Sequence, residues 1–445
     1  MIESTNHAIA AGLIFVIAYA FIASERIHRT IVAVAGAAAV LALRLVDQET
    51  AFGTGHGGVD WNVIFLLLGM MIIVTITRRT GIFQWMAIKA AKVAKGQPVR
   101  VVILLSAITA VLSAFLDNVT TVLFMAPVTL LIADGIGVKP LPILIAQILA
   151  SNIGGTATLI GDPPNIMIGS TAKLGFLDFL VNLAPIIVII FVVFIGCYVL
   201  LFRRQLAAPP DAEERIAGFD ESRAITDRKL CVRCVAVLGL TFVGFFAHQA
   251  LHLEPATIAL SGAGLLLLCS GADIDEVLHE VEWTTLLFFI GLFIMVGALI
   301  ETGIIGSAAK LLIARAGDNP GSMALALLWI SAIASGVVDN IPFVATVDPM
   351  LVELAADFAK TSASGITPGQ LQAPVMMAFW WSLALGACLG GNFTLVGASA
   401  NVVVAGIAER NGHPIGFLNY LRYSVPITLI TIVISTVYVW LRYLH

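Results

Sequence analysis

Charge is what this chain has least of. Asp, Glu, Lys and Arg make up 12% of its 445 residues, about half the share usual in soluble globular proteins, while 59% are hydrophobic. That balance excludes an ordinary water-exposed domain and reads as an all-α polytopic membrane protein. The net charge of −4 carries no basic excess, so nucleic acid is not expected as a partner. Cysteine is scarce as well: five residues, scattered along the chain, make no disulfide framework. Cys231-x-x-Cys234 has no second pair or His beside it, so neither a metal nor a cofactor is expected. The sequence offers no nucleophile–base set and no nucleotide loop, which argues against an enzyme. No basic residue precedes the apolar stretch from Ala8 to Ser24, so no cleavable leader is expected.

What is present is written twice. Asp60-Trp61, Gly69, Thr80-Gly81-Ile82 and Asp117-Asn118 recur as Glu282-Trp283, Gly291, Thr302-Gly303-Ile304 and Asp339-Asn340, each 222 positions on. Gly154-Gly155, Gly161 and Asn165 recur 236 positions on, as Gly390-Gly391, Gly397 and Asn401, with an insertion of 14 residues accounting for the change. One register held over so many positions is an internal duplication.

A membrane-spanning helix needs about 20 mostly apolar residues, and hydropathy divides both halves alike. The first half, residues 1–203, has spans at Ala8–Ser24, Ile31–Val46 and Trp61–Thr77, then an amphipathic stretch from Phe83 to Lys95. Two short arms, Val101–Leu116 and Thr120–Ala133, flank Asp117-Asn118, and a Gly- and Pro-broken segment from Leu141 to Gly175 leads to a last span at Asn182–Phe202. The second half, 231–445, repeats this with Cys231–His248, Pro255–Ser270, Trp283–Ile300, arms around Asp339-Asn340, a broken segment from Pro374 to Ile407, and Leu418–Leu441. Residues 204–230, polar and containing Pro209-Pro210, join the halves. With the paired arms as re-entrant hairpins, each half crosses five times. An odd number forces the halves to face opposite ways, which is the inverted repeat of secondary transporters. Placing the joining segment in the cytoplasm and both termini outside leaves only Arg44, Lys173, Lys310, Arg315, Lys360 and Arg442 of 24 basic residues outside. The expected location is the cytoplasmic (inner) membrane. His56, His248, His252, His279 and His413 fall near span ends and read as interfacial, like Trp61, Trp283 and Trp440.

Irregular backbone at membrane depth is tolerated only inside protein or around a water-filled cavity, and two stretches are irregular. In the first, Asn152, Gly154, Gly155, Thr156, Thr158, Gly161, Asp162 and Asn165 surround Pro163-Pro164. In the second, Gly390, Gly391, Asn392, Thr394, Gly397, Ser399 and Asn401 keep the glycines and the last Asn but have neither Pro nor Asp. Glycine permits unwinding, freed carbonyls can hold a cation, and the N–H groups of a restarting helix can hold an anion or a hydroxide oxygen. Gly69 and Gly291, standing alone, read as helix-packing positions. Carboxylates within spans usually mark ion pathways. Asp117 and Asp339 are expected to exchange protons or ions as well as to cap the helices that follow them, and Asp162 to cap, to bind an ion, or both. The expected substrate pocket is built from Asn118, Thr120, Thr121 and Asn340 beside the arm junctions. It is completed by Asn152, Gly154, Gly155, Thr156, Thr158, Asn165, Gly390, Gly391, Asn392, Thr394, Ser399 and Asn401 of the broken segments. No Lys or Arg stands near these motifs in sequence, which argues against a multivalent anion.

Ser113-Ala114-Phe115-Leu116-Asp117-Asn118-Val119-Thr120-Thr121, with Asn152-Ile153-Gly154-Gly155 and Gly161-Asp162-Pro163-Pro164-Asn165, resembles the ion transporter superfamily. The likeness is to its branch of arsenite permeases, NhaD-type sodium/proton antiporters and pink-eyed-dilution P proteins, and it runs from Asp60 through the last span. It implies two inverted repeats, each of five spans plus a re-entrant hairpin and a broken helix, forming a transport domain that moves against a scaffold domain. In the sodium/dicarboxylate relatives the hairpin tip carries Ser-Asn-Thr. Here Asp117 and Asp339 replace the Ser, which speaks against sodium-coupled dicarboxylate uptake and adds groups suited to proton coupling. The expected function is proton-coupled efflux of arsenite or antimonite, uncharged hydroxides that a pocket of Asn, Thr and backbone groups suits. Sodium/proton antiport is the first alternative and sodium- or proton-coupled organic anion transport the second. A channel, which has no need of two inverted carboxylate-bearing hairpins, is the third. H+ or Na+ is the coupling ion, lipid surrounds the chain, and the protein partners open to it are an efflux ATPase subunit and a second copy of itself.

Overall fold

The computed structural model describes residues 2–24, 26–53, 57–202, 205–206, 212–316, 319–360 and 370–445, with the side chains of 2–5, 312–316 and 360 left out. His56, Arg203, Arg204 and Pro209-Pro210 lie outside the described residues, as do the side chains of Arg315 and Lys360. Among the described residues every regular element is helical. The first half runs α1 (Ile2–Ser24), α2 (Arg29–Ala42), α3 (Gln48–Phe52), α4 (Trp61–Arg79), α5 (Ile82–Val93), α6 (Pro98–Phe115), α7 (Asn118–Ile136), α8 (Leu141–Gly155), α9 (Pro163–Ala172), α10 (Phe176–Asn182) and α11 (Ala184–Phe202). After α12 (Ala212–Ala217), the second half runs α13 (Arg228–Ala247), α14 (Pro255–Ser270), α15 (Ile274–His279), α16 (Trp283–Glu301), α17 (Ile304–Ala316), α18 (Pro320–Val337), α19 (Asn340–Lys360), α20 (Pro374–Gly390), α21 (Ser399–Arg410) and α22 (Phe417–Tyr443). The architecture is two inverted repeats, each of five spans plus a hairpin and a broken helix.

Local chemistry sets these boundaries. Proline opens α6, α9, α14, α18 and α20 at the first turn, where its missing N–H has no partner to lose. Asp60 caps α4 by accepting from the N–H groups of Asn62 (3.0 Å) and Val63 (3.2 Å). The duplicated Thr-Gly-Ile turns need glycine, since Gly81 and Gly303 both adopt left-handed φ values, +78° and +75°.

Burial separates lipid-facing from interior helices. Only 17% of the apolar stretch of α1 is buried, against 72% for α4, so α1 presents its side chains to lipid and α4 to protein. The third span of each half docks on the second span of the other through a seam without side chains. A methyl group on Gly69 of α4 would lie 2.7 Å from the backbone of Ala259 on α14, and one on Gly291 of α16 would lie 2.7 Å from the backbone of Ala33 on α2. With no hydrophobic drive between helices in lipid, such close backbone packing holds them together.

Three boundaries differ from the hydropathy reading. The hairpin arms are longer: 18 and 19 residues in α6 and α7, 18 and 21 in α18 and α19, because an apolar run omits helical but polar flanks. The final span of the first half is interrupted at Leu183, which separates α10 from α11. The joining segment is docked rather than free, and α13 already begins at Arg228. Glu221 lies between Lys89 and Lys92 of the amphipathic α5, at 3.3 Å and 2.5 Å, and Thr226 donates its N–H to the Thr80 carbonyl at 3.1 Å. The hydrogen bond from Lys92 holds the Glu221 carboxyl down at about 2.

Candidate functional site

The two broken helices are held open by the same bonds, made twice. Ser113 Oγ donates to the Ser151 carbonyl at 2.7 Å, as Ser335 Oγ does to Ala387 at 2.6 Å. Thr158 Oγ1 donates to the Ala114 carbonyl and Thr394 Oγ1 to that of Gly336. Asn165 Nδ2 donates across its break to the carbonyls of Thr156 (3.2 Å) and Thr158 (2.8 Å), and Asn401 Nδ2 does so to Gly391 (2.8 Å) and Thr394 (2.9 Å). Glycine admits the hairpin arm: a methyl on Gly154 would sit 2.1 Å from the Ala110 carbonyl oxygen, and one on Gly390 2.4 Å from that of Ala332.

These bonds engage part of the expected pocket. The carbonyls of Thr156, Thr158, Gly391 and Thr394 each already accept a hydrogen bond from Asn165 or Asn401. Gly154, Gly155, Thr156, Thr158, Asn165, Gly390, Gly391, Thr394 and Asn401 thus build the breaks and do not line the central cavity. Asn152 and Asn392 are likewise engaged with protein. Asn152 Nδ2 donates to Asn392 Oδ1 (2.9 Å) and Asn401 Oδ1 (2.8 Å), and Asn152 Oδ1 accepts from Asn118 Nδ2 at 3.3 Å. Buried polar groups require partners, and here each half supplies them to the other. Thr120 contributes its backbone N–H to Asp117 Oδ1 at 2.8 Å, while Thr121 is buried with no partner for its hydroxyl among the described residues.

The hairpin tips and breaks converge on a cavity in which the centre of a water-sized sphere can move through about 10 Å³, room for about one water-sized group. Asp117, Asn118, Asp162, Asn340 and Ser399 line it, joined by Arg29, Glu282 and Thr285. Asp117 caps α7. Asp162 does not cap α9, since Pro163 and Pro164 have no N–H to offer, and its fully buried carboxylate instead accepts from Asn340 Nδ2 of the other hairpin at 3.3 Å. Asp339 pairs with Arg29 and accepts from Ser399 Oγ at 2.7 Å, while Arg29 also donates to Ser399. The Arg29 guanidinium lies 5.0 Å from the centre of the Phe288 ring. Glu282 precedes α16 and accepts from Thr285 Oγ1 at 3.2 Å. Among the described residues no three His, Cys, Asp or Glu side chains converge on one metal position, so the carboxylates share a field without forming a chelate.

Arg29 and Glu282 escaped the sequence reading for different reasons. Arg29 stands 88 residues before Asp117, yet as the first residue of α2 it falls beside the second hairpin tip. That overturns the expectation of a pocket without a cation. Glu282 was visible as the partner of Asp60 in the repeat, but a landmark in an alignment carries no statement of what it faces. His248, read as interfacial, is buried: its Nε2 accepts from the Phe176 N–H at 3.3 Å.

A fold and a site of this kind have relatives. Residues 19–381 match the family model described as CitMHS, citrate transporter. An uncharacterized transporter of Mycobacterium tuberculosis is 47% identical over 436 residues, covering 98% of this chain and 99% of its own. The human P protein is 34% identical over 510 residues, covering 97% of this chain but only 59% of the longer relative. Among solved structures, the YdaH transporter of Alcanivorax borkumensis superposes with a TM-score of 0.56 at 15% identity, over 97% of this chain and 98% of that one. MtrF of Neisseria gonorrhoeae, from a class of antimetabolite efflux pumps, gives 0.57 at 12% identity, over 92% and 85%. The last two similarities establish the fold alone. The match to the family model and the identity to the mycobacterial relative reach further: this multi-pass membrane protein belongs to the CitMHS family of secondary transporters and is not an enzyme.

Proposed function

We propose that the chain is a proton-coupled antiporter in which Asp117, Asp162, Asp339 and Glu282 exchange protons against a small monovalent cation, sodium first. One observation carries this reading: three carboxylates, Asp117, Asp162 and Glu282, line one cavity with a single guanidinium that is itself paired with a fourth, Asp339, so the site is short of positive charge. Protons or a cation must balance such a cluster, and competition between them for the same oxygens is antiport. A tricarboxylate would add negative charge where Arg29 is already engaged by Asp339. The amides and hydroxyls of Asn118, Asn340, Thr285 and Ser399 favour a second reading, export of uncharged arsenite or antimonite against protons through hydrogen bonds to its hydroxyls.

In this mechanism the hairpins and broken helices move as one body against α1, α2, α13 and α14, exchanging access between the two sides of the inner membrane. The joining segment faces the cytoplasm and the termini face outward. The Arg29–Asp339 pair ties α2 to the moving body and breaks in each cycle, with an arriving cation taking the place of the guanidinium at Asp339. Purified protein in liposomes carrying a pH gradient tests the cargo. Added sodium is expected to collapse the gradient, and collapse by arsenite alone or citrate alone would overturn the sodium reading. Disulfide links between cysteines placed at the two hairpin tips should permit turnover, whereas links from either tip to α1 should stop it; the reverse pattern would reject the moving body.

A further inference from the structure

A second, larger cavity lies apart from this carboxylate cluster. It measures about 800 Å³ by the same criterion, and Asp60, Glu254, Asp348 and Glu353 line it against the single ammonium of Lys173. Asp348, in the middle of α19, is 3% exposed. Its Oδ2 accepts from Thr171 Oγ1 of α9 at 3.3 Å, and its Oδ1 has no hydrogen-bond partner among the described residues. The next residue is Pro349, which has no N–H, so the carbonyl of Ala345 one turn earlier lacks its helical donor. Ala345 lines the same cavity. The duplication isolates the carboxylate: Pro127 stands 222 positions before Pro349, but Ala126 stands where Asp348 would be. Both halves carry the proline, and one carries the acid.

A buried carboxylate oxygen with no donor is costly, and the Ala345 carbonyl, one turn earlier on the same helix, has lost the N–H that a helix would ordinarily give it. Carboxylate, hydroxyl and unpaired carbonyl oxygens near a helix irregularity are the ligands that transporters offer to sodium. We propose that Asp348, the Thr171 hydroxyl and the Ala345 carbonyl form a binding site for a small monovalent cation, separate from the cluster at the hairpin tips. The single carboxylate matches a single charge. The site stands whatever the central cluster transports.

Thermal unfolding of the purified full-length protein tests it, with sodium chloride titrated against N-methylglucamine chloride at constant ionic strength. Wild type and Asp117→Asn are expected to show a saturable, sodium-dependent rise in Tm. In Asp348→Asn and Thr171→Val the half-saturating sodium concentration should increase by about tenfold or more, as expected for loss of a charge-assisted contact. If Asp348→Asn does not fold, Thr171→Val decides. No rise in wild type overturns the site, and so does a rise that Asp117→Asn abolishes while Asp348→Asn and Thr171→Val retain it. A sodium-dependent Tm rise without sodium-driven collapse of the pH gradient would reject the antiport reading and leave this site standing.

Discussion

In the first copy of the hairpin and broken helix, Ser113, Thr158 and Asn165 bind backbone carbonyls across the break; in the second, Ser335, Thr394 and Asn401 do the same. The polar groups facing the cavities diverge. Asp162 has Ala398 as its counterpart, Ser399 has Pro163, and Asp348 has Ala126. Even the duplicated Asp117 and Asp339 differ in use: each accepts from a backbone N–H at the start of its own helix, but only Asp339 is also paired with a guanidinium, from α2. Duplication thus supplied a frame in which two breaks face each other, and specialisation proceeded by altering what points inward. Shared positions should therefore respond alike to mutation in both halves, and divergent ones should respond in one half only.

The largest effect expected is at the shared glycines. Gly154→Val and Gly390→Val each force a side chain into the backbone of the adjoining hairpin arm, and each should cost more than about 4 kcal/mol. Size-exclusion profiles of fluorescent fusions should show loss of folded protein in both, and tolerance in either copy would break the equivalence. At a divergent position, Asp162→Ala introduces the residue its counterpart already has. Sodium-dependent proton flux should fall to background while folded yield is kept, and full flux would remove Asp162 from the coupling machinery.

Asn165→Ala and Asn401→Ala should destabilise by similar amounts, about 1–3 kcal/mol each, since both leave buried carbonyls without donors. Thermal unfolding compares them directly, and a large inequality would mean that the frame is shared in form only. Arg29→Met should cost about 1–2 kcal/mol by leaving Asp339 unpaired, less than a fully buried pair because the guanidinium is a quarter exposed. Adding Asp339→Asn should recover part of that loss, and strict additivity in the double-mutant cycle would deny the coupling.

The smallest effect concerns the joining segment, which only one half supplies. Glu221 titrates at about 2 instead of its ordinary 4.5 because Lys92 donates to it. A depressed carboxyl stabilises the docked segment above about pH 4.5, and that contribution fades as pH falls toward about 2. Proteolysis of the segment should accelerate over that acid range in wild type and show a flatter pH response in Glu221→Gln.

Much of the fold was legible because the two periodicities involved, apolar runs of spanning length and a repeat at constant offset, are properties of sequence alone. The tips Asp117 and Asp339 and both breaks were located that way. What escaped depends on encounters between distant segments. The amides of Asn165 and Asn401 close their own breaks, which no motif states. Arg29 reaches Asp339 across 310 positions, and it has no counterpart in the second half that would have drawn attention to it. Asp348 sits in an arm of ordinary helical composition, where burial alone reveals it.

Asn152 donates to residues 240 and 249 positions further on, and Gly69 packs on Ala259. At a synthesis rate of about 5 to 20 residues per second, those asparagines leave the ribosome about 12 to 50 s after Asn152 does. Over that interval the first half lies in the bilayer with a polar amide unmatched and a glycine seam open to lipid. Maturation is therefore an event of the last stretch of translation. A chain released before Asn401 leaves the Asn152 amide without one of the two acceptors it has in the finished fold.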